Sequence, residues 1–215
     1  MKDKLLLIYK ILLSEFGKQY WWPGETRFEV CIGAILTQNT NWQNVEKAIN
    51  NLKRKNLLSP YTLEKIDLKK LAAFIKPSGY FNQKSKKIKE FLKWFKKYNY
   101  NFEEVMKRDT FELRKELLNI WGIGEETADS ILLYALDKPI FVVDAYTKRL
   151  FVRHNFIKEK DAKYKNIQSI FMNNLPLDKN LFNEYHALIV KLGKIYCKKQ
   201  PLCNKCVLNK RELFL

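Results

Sequence analysis

Apolar residues recur at i, i+3 and i+4 in ten separate segments of this chain, and that period constrains the fold more than any other feature. The segments span residues 5–16, 28–36, 45–52, 68–75, 88–98, 111–120, 127–136, 146–153, 167–174 and 182–192. Breakers separate them: Trp22-Pro23-Gly24, Ser59-Pro60, Lys76-Pro77-Ser78-Gly79 and Asp137-Lys138-Pro139. After Pro60, the run Thr62, Glu64 and Lys65 reads as a helix start. One β-rich run, Ile140-Phe141-Val142-Val143, stands alone. A single strand builds no sheet, so a buried extended linker is expected there. The pattern predicts an all-α protein of about ten helices, with no internal repeat and no low-complexity segment.

Composition narrows the class. The 215 residues carry 40 Lys+Arg against 23 Asp+Glu, a formal charge of +17, and 47% are hydrophobic. That apolar share argues against disorder despite the charge. The longest apolar stretches, such as 131–136, fall far short of the ~18 residues a spanning helix needs. Leu5 to Leu7 are apolar, but Lys10 and Glu15 interrupt them, so no leader and a cytoplasmic location are expected. The excess of positive charge fits a protein that sits on a polyanion and releases its counterions. A Lys-rich proteome would produce part of the same excess.

Residues 117–136 carry the most information: Leu-Leu-Asn-Ile-Trp-Gly-Ile-Gly-Glu-Glu-Thr-Ala-Asp-Ser-Ile-Leu-Leu-Tyr-Ala-Leu. One helix ends near Trp121 and another begins near Glu125. Gly122 and Gly124 permit a tight turn that brings backbone close to a ligand, and Ile123 can drop between the helices. N–H groups at the start of the second helix suit an anion, while Thr127 and Ala128 are small enough for a close crossing. This pattern describes a backbone phosphate clamp without base readout. An αα-hairpin with a glycine turn is the plain alternative.

These residues resemble the helix-hairpin-helix motif of the endonuclease III superfamily of DNA base-excision glycosylases. The sequence continues Lys138-Pro139-Ile140-Phe141-Val142-Val143-Asp144, similar to the segment that carries the family's catalytic Asp. Upstream, residues 28–40 resemble the family's second helix and the Gln-bearing loop after it, and residues 78–86 its second DNA-facing loop. The resemblance implies two helical lobes with a DNA cleft between them. A six-helix barrel would span 25–139, and residues 1–24 and 140–215 would form the second lobe. It also implies a monomer acting on damaged double-stranded DNA, without an organic cofactor.

The resemblance assigns roles residue by residue. Asp144 would stabilise oxocarbenium-like charge at C1′ and help a water attack. Asp is also a good helix N-cap, and both readings can hold for one residue. Bifunctional members carry a Schiff-base Lys in the hairpin where this chain has Glu126, so AP lyase activity is expected absent or weak. Tyr20-Trp21-Trp22-Pro23, the Leu36-to-Trp42 run and the Pro77-to-Lys84 loop look like the 3-methyladenine glycosylases of this class. There Trp22 and Trp42 would sandwich the base, with Trp21 and Glu126 nearby. A cationic base gains cation–π energy of about 0.5–2 kcal/mol per ring. Gln38 would fill the gap left by the flipped nucleotide, Tyr80 would wedge against the opposite strand, and Lys84 would reach phosphate. Gly122, Ile123, Gly124 and Thr127 would grip the backbone.

The expected function is a monofunctional glycosylase for alkylated purines such as 3-methyladenine. An endonuclease III-like glycosylase/lyase for oxidised pyrimidines and a non-catalytic helix-hairpin-helix module are the alternatives.

Four cysteines remain. Cys31 lies among apolar neighbours and reads as a core thiol. Cys197, Cys203 and Cys206 form a group of soft ligands. The family's [4Fe–4S] loop has four cysteines spaced x6, x2, x5. Here the first gap is x5 and the stretch to Glu212 has no fourth Cys. A [4Fe–4S] cluster with another fourth ligand, a three-thiolate metal site and an empty loop all stay open. His154 and His186 are widely separated and read as structural or surface residues.

Overall fold

The computed structural model describes residues 1–209. The stretch 210–215, including Glu212, lies outside the described residues. Among the described residues there are twelve α-helices and no strand: α1 (Lys2–Phe16), α2 (Arg27–Leu36), α3 (Trp42–Lys53), α4 (Pro60–Lys65), α5 (Leu68–Phe74), α6 (Phe81–Lys96), α7 (Phe102–Met106), α8 (Thr110–Leu118), α9 (Glu125–Ser130), α10 (Ala145–Arg153), α11 (Tyr164–Met172) and α12 (Lys179–Ile195). None is long and apolar enough to cross a membrane. The chain divides into two compact units, Pro23–Lys138 and a second made of Met1–Trp22 with the residues from 139 onward.

The first unit is built around α2. Phe28 through Leu36 are all buried, Glu29 among them through its pairing with Lys53 at 2.9 Å, so this helix has no solvent face to give up. Helices α3, α6 and α9 pack on it. Polar contacts fix the ends. Thr26 caps α2 through the N–H of Glu29, Asn41 caps α3, and Ser59 with Thr62 forms a capping box on α4. Helix α9 runs on into a π turn, Ile131–Ala135. Arg27 closes that turn by donating to the Ala135 carbonyl at 2.5 Å and to Asp137 at 2.8 Å.

The second unit packs α1 and α10 on α12. Phe182, Tyr185, Leu188, Ile189 and Leu192 are fully buried, and the Tyr185 hydroxyl donates to the Leu5 carbonyl at 2.9 Å. Residues 140–143 lie outside helices and strands and are buried. Buried backbone without a ladder must find other partners. Gln168 Nε2 donates to the Phe141 carbonyl at 2.7 Å and the Val143 N–H donates to the Tyr164 hydroxyl at 3.3 Å. The Phe141 ring stacks on Phe171. The chain therefore enters α10, with Asp144 at its threshold, along a clamped path. Gly193 completes the packing, because a Cβ there would lie 2.1 Å from the Tyr146 ring.

Candidate active site

Helices α8 and α9 form the hairpin. Ile123 is buried at the turn, while Gly122 and Gly124 are exposed. Gly122 has φ +83°, a conformation that disfavours any side chain, and the stem of Lys87 lies where its Cβ would be. Arg114 on α8 makes a double contact to the fully buried Asp129 on α9, at 2.7 and 3.1 Å, which fixes the pitch of the two helices.

Gln38 joins this turn. Its Nε2 donates to the Gly122 carbonyl at 3.1 Å and to the Thr127 hydroxyl at 2.9 Å, and its Oε1 accepts from Lys87 Nζ. Burial pulls the Lys87 pKa below the usual lysine value. The structure thus brings Gln38, Lys87, Gly122 and Thr127 into one network. Glu126 is exposed on the first turn of α9.

Lys84 corrects the sequence expectation. Its exposure is 1%, and Nζ donates to the carbonyls of Leu36 at 2.8 Å and Ser78 at 2.7 Å. A side chain so engaged does not reach a phosphate. Burial first, then the charge of Lys87, brings its pKa down to about 8. Lys84 ties the end of α2, which leads to Gln38, to the turn that leads to Tyr80. Tyr80 itself is 65% exposed with φ 45°. For a residue with a Cβ that is the left-handed region, and here it turns the ring outward at the start of α6.

In the second unit, Asp144 stands at the N-cap of α10. Oδ1 accepts from the Thr147 N–H at 2.7 Å and the Thr147 hydroxyl at 2.9 Å. Oδ2 lies 3.6 Å from His186 Nε2 on α12, with the two side chains only 12% and 6% exposed. Burial acts to raise the Asp144 pKa, but the His186 imidazole and the Thr147 bonds outweigh it and hold the carboxyl below its usual value. Sequence reasoning read His186 as structural or surface and did not pair it with Asp144. The available signal was a histidine inside an otherwise apolar helix face, which needs a polar partner when buried. Trp21 and Trp22 pack edge to face with centroids 5.6 Å apart, and Lys194 sits 5.8 Å over the Trp21 ring. Trp42, half-buried, opens α3.

The C-terminal cysteines lie near α10. Cys197 and Cys206 are buried and Cys203 is exposed. Arg153 donates to Cys197 Sγ at 3.3 Å and to the carbonyls of Lys198 and Lys199, and Arg149 donates to the Cys197 carbonyl. Among the described residues no three His, Cys, Asp or Glu side chains converge as a metal site. With an arginine on one thiol and no fourth cysteine in the loop, the residues present do not fit a four-thiolate [4Fe–4S] cluster.

A helical hairpin with a glycine turn, followed by a buried linker and a helix-capping Asp, defines a base-excision repair fold. The chain belongs to the HhH-GPD superfamily of base excision DNA repair proteins, whose model matches residues 32–176. It is a DNA glycosylase of the HhH-GPD/endonuclease III family of base excision repair. A Methanocaldococcus jannaschii protein provisionally named a DNA repair glycosylase is 54% identical over 206 residues, 95% of this chain and 93% of its own length. An endonuclease III of Sulfolobus acidocaldarius is 31% identical over 210 residues, covering 96% and 91% of the two chains. The solved structure of an H. pylori 3-methyladenine DNA glycosylase bound to 1,N6-ethenoadenine superposes with a TM-score of 0.73. It is 29% identical and covers 89% of this chain and 97% of its own.

Proposed function

We propose that this glycosylase removes alkylated purines such as 3-methyladenine from double-stranded DNA by hydrolysis, leaving the strand uncut. The observation that carries the reading is the Asp144 carboxylate. One oxygen is committed to the helix cap and the other is left for chemistry in a nearly dry setting. A carboxylate there stabilises positive charge at C1′. The water oxygen bonds to C1′ as the C1′–N bond breaks, the bonding pair leaves with the base, and the water's proton passes to Asp144. A cationic alkylated base departs as a neutral molecule, so it needs little help from an acid.

Trp22 and Trp42 stack the extruded base, Trp21 backs Trp22, and Glu126 adds negative charge favourable to a cation. Gln38 enters the vacated gap and Tyr80 separates the opposite strand. The turn Gly122-Ile123-Gly124 with Thr127 holds a backbone phosphate, with Lys87 as the cation beside it. Glu126 in place of a lysine supports hydrolysis without lyase chemistry, because a carboxylate forms no imine.

The test is base release from duplexes holding 3-methyladenine, 7-methylguanine, hypoxanthine or thymine glycol, with borohydride trapping in parallel. Release of the methylated purines without a covalent adduct is expected. Preference for thymine glycol with efficient trapping would establish the endonuclease III-like alternative instead.

A further inference from the structure

The second oxygen of Asp144, Oδ2, faces a side chain with no part in the reaction so far. His186 lies on α12, between the fully buried Tyr185 and the buried Ala187. Its ring meets Phe141 edge-on, with centroids 6.5 Å apart. Helix α12 is fixed against α1 by the Tyr185 hydroxyl on the Leu5 carbonyl, and against α10 by the close approach at Gly193. The imidazole therefore has little freedom to leave the carboxylate.

The 3.6 Å separation between His186 Nε2 and Asp144 Oδ2 is informative. A charge-assisted hydrogen bond closes to about 2.7–2.9 Å and occupies an acceptor lone pair. At 3.6 Å the imidazole favours negative charge on Oδ2. Thr147 meanwhile takes Oδ1 with two bonds and prevents the carboxylate from rotating.

We infer that His186 is a positioning residue of the base-excision reaction, fixing the direction and charge of the Asp144 oxygen that faces the reacting sugar. The inference rests on the role of Asp144 proposed above. A carboxylate enclosed this far from water tends toward its neutral form. A neutral Asp144 would neither stabilise an oxocarbenium ion nor take the proton of the attacking water. The lowered pKa of Asp144 agrees with this role, since the imidazole is the leading contribution opposing the effect of burial.

The experiment compares the parent with His186→Phe, His186→Gln and Asp144→Asn, each checked by thermal melting. Affinity is measured for two duplexes, one with a neutral tetrahydrofuran abasic site and one with a cationic pyrrolidine in its place. Their ratio reads the negative charge presented to C1′ and requires no knowledge of the lesion. Base release from methylated duplex is measured in single turnover. His186→Phe is expected to slow release by about tenfold to a hundredfold and to lower the pyrrolidine preference, with tetrahydrofuran affinity held within about threefold. His186→Gln, which donates a hydrogen bond without charge, is expected to restore part of the rate. Where the Phe variant melts early, the Gln variant decides: a slower rate with unchanged tetrahydrofuran affinity supports the inference. Parent-like release and pyrrolidine preference in the histidine variants, or losses that track tetrahydrofuran affinity alone, overturn it. Full activity of Asp144→Asn would instead overturn the reading of Asp144 itself.

Discussion

Removing the cation between the hairpin helices tests how this site is held. Arg114 reaches Asp129 through Nε to Oδ1 at 2.7 Å and Nη2 to Oδ2 at 3.1 Å, and the aspartate is 0% exposed. Arg114→Met takes away the counter-charge of a carboxylate with no access to bulk water. Breaking a buried pair from one side costs about 3–5 kcal/mol. Glu125, the second acid near Arg114, is exposed at 3.5 Å and changes that figure little. A domain pair of this size loses about 2–4 °C of melting temperature per kcal/mol. The single variant should therefore melt roughly 6–20 °C below the parent. The double variant Arg114→Met/Asp129→Leu removes both charges and should return to within about 1 kcal/mol of the parent. Urea titration followed by tryptophan fluorescence measures all three proteins, and affinity for a tetrahydrofuran-containing duplex reports on the turn. A cost below about 1 kcal/mol for the single variant, or a double variant weaker than the single, would refute the reasoning.

Two further outcomes follow from the lysines of α6. Lys87→Ala should lower the slope of log Kd against log salt by about one for duplex binding, whereas Lys84→Met should leave the slope unchanged, because Lys84 Nζ is buried on two carbonyls while Lys87 lies beside the proposed phosphate-holding turn. Fluorescence anisotropy between low and moderate salt separates them; a slope change in Lys84→Met would contradict its placement. Lys84 also sets a pH window for stability. Its folded pKa of about 8 lies below the unfolded value, so between pH 8 and about 10.4 the unfolded chain binds more protons and stability rises with pH. The urea midpoint of the parent should climb relative to Lys84→Met across that window, and parallel curves would contradict it.

The helical period carried most of the fold, and the exceptions have physical reasons. Helix α6 begins at Phe81, two turns before the apolar pattern starts at residue 88. Its buried positions there are Lys84 and Ser85, so the face that packs inward is polar and the period is hidden. Helix α7 is five residues long, too short to show a period at all. Asp144 was legible as a helix cap, because the cap depends only on Thr147 three residues on. The partner of its second oxygen lies 42 positions away on another helix, and no local pattern announces such a pairing. The same holds for Gln38, whose contacts to Gly122 and Thr127 span more than 80 residues. What the sequence made plain was local chemistry, and what it concealed was the long-range placement of polar side chains.

On the proposed reading, the Gln38 network has an energetic consequence. Gln38 makes three hydrogen bonds to Gly122, Thr127 and Lys87, each with a net value of about 0.5–1.5 kcal/mol. Moving the amide into a duplex forfeits roughly 1.5–4.5 kcal/mol before any gain. An intact base pair offers it no comparable set of partners, since its edges are already occupied. A gap left by an extruded base does offer them, through the unpaired edge of the opposite base. Lys87, released from Gln38, is then free to turn toward a phosphate at the hairpin. The balance favours insertion where a base has left the stack and disfavours it elsewhere. A glutamine tethered to the turn that grips the strand thus adds discrimination without any contact to the lesion itself.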